Sequence, residues 1–253
     1  MTITFLGTGT SQGVPVIGCD CDICTSADKH DKRLRTSILV EAQGKIIVID
    51  TGPDFRYQML RVGVKHLDAV IFTHEHKDHT AGLDDIRAFN YLQQEPMDVY
   101  AVPRVQASLK KEFSYIFAEF QYPGIPKINL HTIGNEPFNV GPVKFIPIEV
   151  LHYKLPVLGF RIDDFTYITD AKTIAEPEIE KIKGTKVLVV NALQKQPHMS
   201  HFTFDEAIAF AQRIGAETTY FTHISHRLGK HADVSLELPQ GIQLAYDGLK
   251  IEL

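Results

Sequence analysis

Cysteine is scarce in this chain of 253 residues: there are three, all within residues 19–24. Three clustered thiols cannot build the disulfide framework of a small secreted protein, and their closeness points to a metal. Also missing is any run of 18 uncharged apolar residues, which excludes a membrane-spanning helix of the usual kind. Basic residues are not in excess. Lys and Arg number 26 against 31 Asp and Glu, a formal net charge of −5. That argues against a broad nucleic-acid-binding surface but leaves room for a local phosphate pocket. No low-complexity tract, charge run or Pro/Gly/Ser linker divides the chain, so one domain over 1–253 is expected. The opening Met1-Thr2-Ile3-Thr4-Phe5-Leu6 has neither the basic region nor the cleavage site of a signal peptide, and a cytoplasmic protein is expected.

The pattern that remains is two similar halves of alternating strands and helices. In the first half, strands are expected at 2–6, 37–41, 45–50, 69–73 and 98–102, and helices at 54–62, 83–93 and 104–119. In the second half, strands are expected at 143–150, 159–162, 165–169, 186–191 and 218–222. The Thr203-x-x-Glu206 pattern opens a helix with Phe204, Ala207, Ile208, Ala211 and Ile214 on one face. Residues 242–245 and 249–253 read as a closing hairpin around Asp247-Gly248. Polar side chains stand where apolar strands stop, at His74, His152, Asp170 and His223. Strand ends gathered on one rim are where open α/β sheets hold ligands.

Histidine is abundant, with 12 in the chain, and the sharpest motif is His74-x-His76-x-Asp78-His79. Three imidazoles and a carboxylate in six residues offer borderline nitrogen donors and one hard oxygen donor, a mixture that suits zinc, manganese or iron. In an extended turn, His74 and His76 can face one centre while Asp78 and His79 face a second about 4 Å away, as two-metal chemistry requires.

This motif after a buried strand resembles the metallo-β-lactamase fold superfamily, and the other signatures follow in that family's order. The resemblance implies an α/β fold, a four-layer αββα sandwich with a binuclear site on one edge. It implies that His74, His76 and His152 hold one metal, that Asp78, His79 and His223 hold the other, and that Asp170 bridges them. Asp50, in Ile49-Asp50-Thr51-Gly52, resembles the family's first motif, which stands behind the ligands.

Cys19-Asp20-Cys21-Asp22-Ile23-Cys24 is a CxCxxC pattern. Three thiolates bind zinc, but a closed structural site needs a fourth ligand. A redox reading of Cys21 and Cys24 lacks a thioredoxin-like context. Within the superfamily, the loop is similar to that of the phosphoribosyl 1,2-cyclic phosphate phosphodiesterase (PhnP-like) group. There a His three residues after the last catalytic His completes a zinc site, which implies His226 here. Phe5-Leu6-Gly7-Thr8-Gly9-Thr10 and Arg33-Leu34-Arg35-Thr36-Ser37 also look like this group. So does His201 just ahead of the capped helix, although Phe202 departs from the His-Ser-Thr element of the related tRNase Z. Histidines 30, 66, 131, 198 and 231 are read as surface residues without a role.

The activity implied is hydrolysis of a small cyclic phosphodiester, with no membrane partner, nucleic acid disfavoured, and a homodimer left open. Two divalent ions at the catalytic site (Mn2+ or Zn2+) would turn a bridging water into hydroxide at neutral pH. Asp78 and Asp170 would fix them, His201 would assist the leaving oxygen, and one Zn2+ would sit in the cysteine loop. The alternatives are a tRNase Z-like RNA-processing nuclease, a hydrolase of another bond, and a fold relative in pyrroloquinoline quinone biosynthesis.

Overall fold

In the computed structural model, which describes residues 1–120 and 123–253, the strands form two sheets. The elements of the first half are β1 (Thr2–Gly7), β2 (Ser37–Ala42), β3 (Lys45–Ile49), α1 (Phe55–Val62), β4 (Ala69–Ile71), α2 (Lys77–Thr80), α3 (Arg87–Gln93), β5 (Met97–Ala101), α4 (Pro103–Glu112) and β6 (Ile128–Thr132). Those of the second are β7 (Phe138–Val140), β8 (Val143–His152), β9 (Leu155–Ile162), β10 (Phe165–Tyr167), β11 (Thr173–Ile174), α5 (Glu176–Ile182), β12 (Val187–Asn191), α6 (Phe204–Ile214), β13 (Thr218–Thr222), α7 (His231–Ser235), β14 (Ile242–Leu244) and β15 (Lys250–Glu252). The first sheet has the order β15-β1-β2-β3-β4-β5-β6, and the second β11-β8-β9-β10-β12-β13-β14 with β7 paired to β8.

Side-chain alternation explains the layering. Ile3, Phe5, Ile38, Val40, Ile47, Ile49, Ala69 and Ile71 face the second sheet and meet Phe145, Phe160 and Tyr167 in one core. The intervening Leu39, Val48 and Val70 point outward and pack under helices with Phe55, Phe89, Val105 and Leu109. On the far side, Leu188, Val190 and Phe221 pack against Ile179, Ala207 and Phe210. Both faces of each sheet are therefore buried, which is why the central strands read as continuous apolar runs. The expected four-layer αββα sandwich is the observed one.

Helix ends follow from local chemistry. Thr203 accepts from the Glu206 N–H while Glu206 accepts from the Thr203 N–H, so α6 opens with a capping box and closes at Gly215 in the left-handed region. Three expectations change. The helix expected over 104–119 ends at Glu112. Beyond it, Phe113 and Ile116 turn inward through the bonds from Ile116 N–H to the Phe113 carbonyl and from Phe117 N–H to the Ser114 carbonyl. The helix expected over 83–93 begins as a 3-10 turn at Leu83–Ile86 and becomes α3 only at Arg87. The closing hairpin is absent: β14 lies parallel to β13 in the second sheet, whereas β15 lies antiparallel to β1 in the first, so the Asp247-Gly248 turn hands the chain from one sheet to the other. No helix among the described residues is long and apolar enough to cross a membrane.

Candidate metal centre

Three rim residues that follow strands take backbone conformations unusual for anything but glycine: Asp50 (φ 67°), Asp170 (φ 58°) and His223 (φ 54°). A fourth, Tyr153 (φ 58°), turns the chain between β8 and β9. Such positions cost energy and persist where the surrounding fold over-determines them, typically at working sites. Here each turns the chain sharply where a strand gives way to the rim.

The turn carrying Asp78 and His79 is pinned from below. Thr51 N–H donates to the His79 carbonyl and Gly82 N–H to the Thr51 carbonyl, both at 2.8 Å. A Cβ at Gly52 would sit 2.1 Å from the Asp78 carbonyl oxygen, and one at Gly82 would sit 2.2 Å from that of Gly52. Only glycine permits that approach. Asp50 lies beneath, fully buried, accepting from Thr73 N–H (2.9 Å), Thr73 Oγ1 (2.8 Å) and His79 Nδ1 (2.7 Å). That last bond fixes Nδ1 of His79 as a donor to Asp50 and turns Nε2 toward the cluster.

What Nε2 of His79 faces is carboxylate oxygen: Asp78 Oδ2 and Asp170 Oδ2, each at 3.3 Å. Nε2 of His223 lies 3.2 Å from Asp170 Oδ1 and 3.7 Å from Asp78 Oδ2. Both nitrogens are buried and neither makes a hydrogen bond. Buried polar atoms are as a rule satisfied, so two unpaired nitrogens facing the same carboxylates call for a partner. Two donors bound to one zinc at roughly 2.05 and 2.1 Å in tetrahedral geometry stand about 3.4 Å apart. The observed spacings match, and the four donor atoms all lie within 4.8 Å of one another. The Asp78, His79, Asp170 and His223 set therefore fits a divalent cation.

His74 and His76 join from the other side, with Nε2 of His74 3.0 Å from Nδ1 of His76. Their rings stand 6.0 and 5.2 Å from that of His152, centroid to centroid. His152 Nδ1 lies 2.9 Å from the Ser200 carbonyl, which orients the ring as such a bond does for a metal ligand. His74, His76 and His152 are thus neighbours, but among the described residues the donor trio gathered within 4.8 Å is His152, Asp170 and His201. His201 enters the cluster itself: Nε2 lies 3.1 Å from Asp170 Oδ1, and the ring stacks on His223 at 4.8 Å.

The electrostatics follow from burial among unlike groups. Burial opposes ionisation of Asp170, yet His223 and His79 hold it well below the usual carboxylate range, and Asp78 is lowered in the same way by His79 and His223. Burial also opposes charging His79, but Asp78, Asp170 and Asp50 outweigh it and push that imidazole well above its ordinary value. His201 goes the other way: burial pulls it down to about 4 against the attraction of Asp170, so the ring is neutral at pH 7. His198, read from the sequence as a surface residue, is half-buried with Nδ1 3.2 Å from Nδ1 of His201. His231 is likewise half-buried, stacked on His30.

The second cluster forms where the loop after β1 meets the turn after β13. Nδ1 of His226 stands 3.4 Å from each of Cys19 Sγ, Cys21 Sγ and Cys24 Sγ. Zinc–sulfur and zinc–nitrogen bonds of roughly 2.3 and 2.05 Å at a tetrahedral angle place S and N about 3.6 Å apart. Three sulfurs equidistant from one nitrogen have no other ready explanation, so this donor set fits zinc. The Cys24 backbone N–H draws the Cys21 thiol down to about 6, whereas burial pushes Cys24 up to about 11.

This sandwich, with histidine and aspartate donors at its strand ends, defines a metal-dependent hydrolase. The family model described as "Beta-lactamase superfamily domain" matches residues 45–224. The chain belongs to the metallo-β-lactamase superfamily, in its PhnP-like branch. A crystal structure of a new diphosphatase from the PhnP family is 42% identical, with a TM-score of 0.94 over 100% of this chain and 96% of that one. Among curated proteins, an octanoyltransferase of Porphyromonas gingivalis is 41% identical over 99% of this chain and 51% of its own length. Coenzyme PQQ synthesis protein B of Methylorubrum extorquens is 28% identical over 74% of this chain and 61% of its own. The chain thus spans about half the length of the first of these curated relatives.

Proposed function

We propose that the chain is a phosphoric diester hydrolase acting on a small cyclic phosphodiester, with phosphoribosyl 1,2-cyclic phosphate as the reference substrate. His74, His76 and His152 would hold one divalent cation, Asp78, His79 and His223 the other, with Asp170 between them. Cys19, Cys21, Cys24 and His226 would hold a structural zinc. When bound, the two cations (manganese or zinc) supply the Lewis acidity that activates water and neutralises charge on phosphoryl oxygens.

The observation that carries the reading is His201. Its Nε2 sits 3.1 Å from Asp170 Oδ1, at the edge of the donor cluster. Because the Asp170 carboxylate can only accept, the neutral ring carries its proton on Nε2 and presents an N–H donor there, with Ser200 Oγ and His198 Nδ1 beside Nδ1 at 3.1 and 3.2 Å. That donor can hold a phosphoryl oxygen and assist departure of the leaving oxygen. Asp50 keeps His79 in the donor tautomer, and the Ser200 carbonyl does the same for His152.

The 42% identity to a PhnP-family diphosphatase favours a second reading, a small diphosphate, in which the reacting centre is again phosphorus. Acyl transfer by this chain is disfavoured. All three of its thiols stand around His226, which leaves none to carry an acyl group. The net charge of −5 disfavours a long RNA substrate. Turnover of cyclic phosphodiesters, diphosphates and precursor tRNA in parallel tests the proposal. The small cyclic diester is expected to be cleaved fastest, and His201→Ala to slow it about 100-fold at unchanged metal content. Efficient 3′ processing of the RNA with the small diesters untouched would overturn it.

A further inference from the structure

Beside the cysteine loop lies a cavity of about 560 Å3 that none of the cluster donors lines. It forms where residues 29–34, helix α1 and the turn before β15 converge. Its volume lies in the range of small-molecule sites.

The unusual feature of its wall is Arg33. This residue is only 4% exposed, and every group its guanidinium touches is neutral. Nη1 donates to Thr8 Oγ1 (2.8 Å) and the Ala245 carbonyl (2.6 Å), and Nη2 to Nδ1 of His231 (3.1 Å). Among the described residues no carboxylate lies within 4.0 Å of it, although Asp247, Asp31 and Asp28 act on it from farther off. Those acids are engaged elsewhere. Asp247 accepts from Thr8 Oγ1, Leu34 N–H and Arg61, Asp31 from Ser26 Oγ and His231 N–H, and Asp28 pairs with His30. A buried cation without a counter-ion is costly, and proteins keep one where an anion completes it.

The rest of the lining agrees. Lys29, Lys32 and Arg61 stand around the cavity, so four cations face the single carboxylate of Asp247. Lys32 is tied to the Cys24 carbonyl at 2.9 Å, while Lys29 is exposed and makes no ion pair among the described residues. Two aromatic side chains complete the wall: Tyr246, packed edge-on against His30 at 4.5 Å, and Tyr57, 59% exposed on α1.

We infer that this cavity is a second ligand site, separate from the metal centre, that binds a nucleotide-class compound. The phosphates would lie on Arg33, Arg61 and Lys29, and the flat ring would lie against Tyr57 and Tyr246. The inference does not depend on which substrate the metal centre cleaves.

The test is calorimetric titration of the metal-loaded protein with α,β-methylene-ADP, which cannot be hydrolysed at the diphosphate, and with inorganic pyrophosphate. Lys29→Glu combined with Arg61→Glu is expected to weaken both ligands at least tenfold. Tyr57→Ala is expected to weaken the nucleotide analogue several-fold and leave pyrophosphate unchanged. Asp170→Ala is expected to remove any binding event at the metal centre and to leave the event that depends on Lys29 and Arg61 as it was. Lys29 and Tyr57 are exposed, so Lys29→Glu alone and Tyr57→Ala should fold even if Arg33→Gln, or the Arg61 change that breaks bonds to the Leu6 carbonyl and Asp247, does not. Affinity insensitive to the Lys29/Arg61 change, loss of the Lys29/Arg61-dependent event with Asp170→Ala, or no binding at millimolar ligand would each overturn the inference.

Discussion

The two donor clusters are built on opposite plans. The His/Asp cluster stands on strand ends, and its ligands are braced from behind: Asp50 holds His79, Thr73 touches His74, and the Ser200 carbonyl holds His152. Its key members are almost wholly buried. The Cys/His cluster hangs on a loop with little regular structure between Gly7 and Ser37, and Cys19, Cys21 and His226 are only half-buried. One set is preorganised by the sandwich, while the other would be organised by the zinc proposed for it. Removing the first should cost chemistry and spare the fold; removing the second should cost the fold locally and spare much of the chemistry.

The largest expected effect separates these outcomes. Asp170→Ala should lower hydrolysis at least 1,000-fold, about 4 kcal/mol in barrier, with the thermal midpoint moving by less than about 4 °C. Steady-state kinetics and a melting curve on the same sample check both halves. Cys21→Ser is the mirror experiment. It should release one zinc per chain and lower the midpoint by about 10 °C, with turnover at 25 °C falling less than tenfold. Equal losses of activity in the two variants would erase the distinction.

A smaller effect sharpens it. Asp50→Asn keeps the size of the side chain but weakens the grip on His79, so metal affinity and turnover should fall about 10- to 100-fold. Titration of the metal-free protein, followed by rate, measures it. The smallest effect concerns the loop's surroundings. Burial, then Arg33 and His30, pull His231 down to about 4 from an ordinary 6.5. The unfolded chain therefore takes up this proton first. The folded state is at no disadvantage from His231 above pH 6.5 and loses stability as the pH falls from 6.5 toward 4. Urea midpoints at pH 7.5 and 5 should differ less in His231→Gln than in the parent chain.

Much of this arrangement was legible beforehand because chemistry marks it. Apolar runs such as 69–71 that stop at histidine announce a buried strand and a polar rim at once. The capping box at Thr203 is a local device with a local signature, and it appears where expected. What could not be read is non-local. Nothing in Asp247-Gly248 distinguishes a hairpin turn from a passage between sheets, because the deciding partners are β1 and β13. The left-handed backbone at Asp50, Asp170 and His223 leaves no mark in residue type, since aspartate and histidine have other reasons to be there. Gly52, two residues past Asp50, and Gly82, three past His79, are a usable signal, because a Cβ at either would strike backbone of the opposing turn. His198 reads as a surface residue in the sequence, and only the fold turns it toward the His201 ring.

The central claim is that two separate donor sets grip cations of different purpose. Elemental analysis of protein purified without chelator tests it most directly. Three divalent ions per chain are expected, two of them lost together in Asp170→Ala, the donor the pair would share, and one, zinc, lost alone in Cys19→Ser. One ion or none in the parent chain, or loss of all three in either variant, would contradict it.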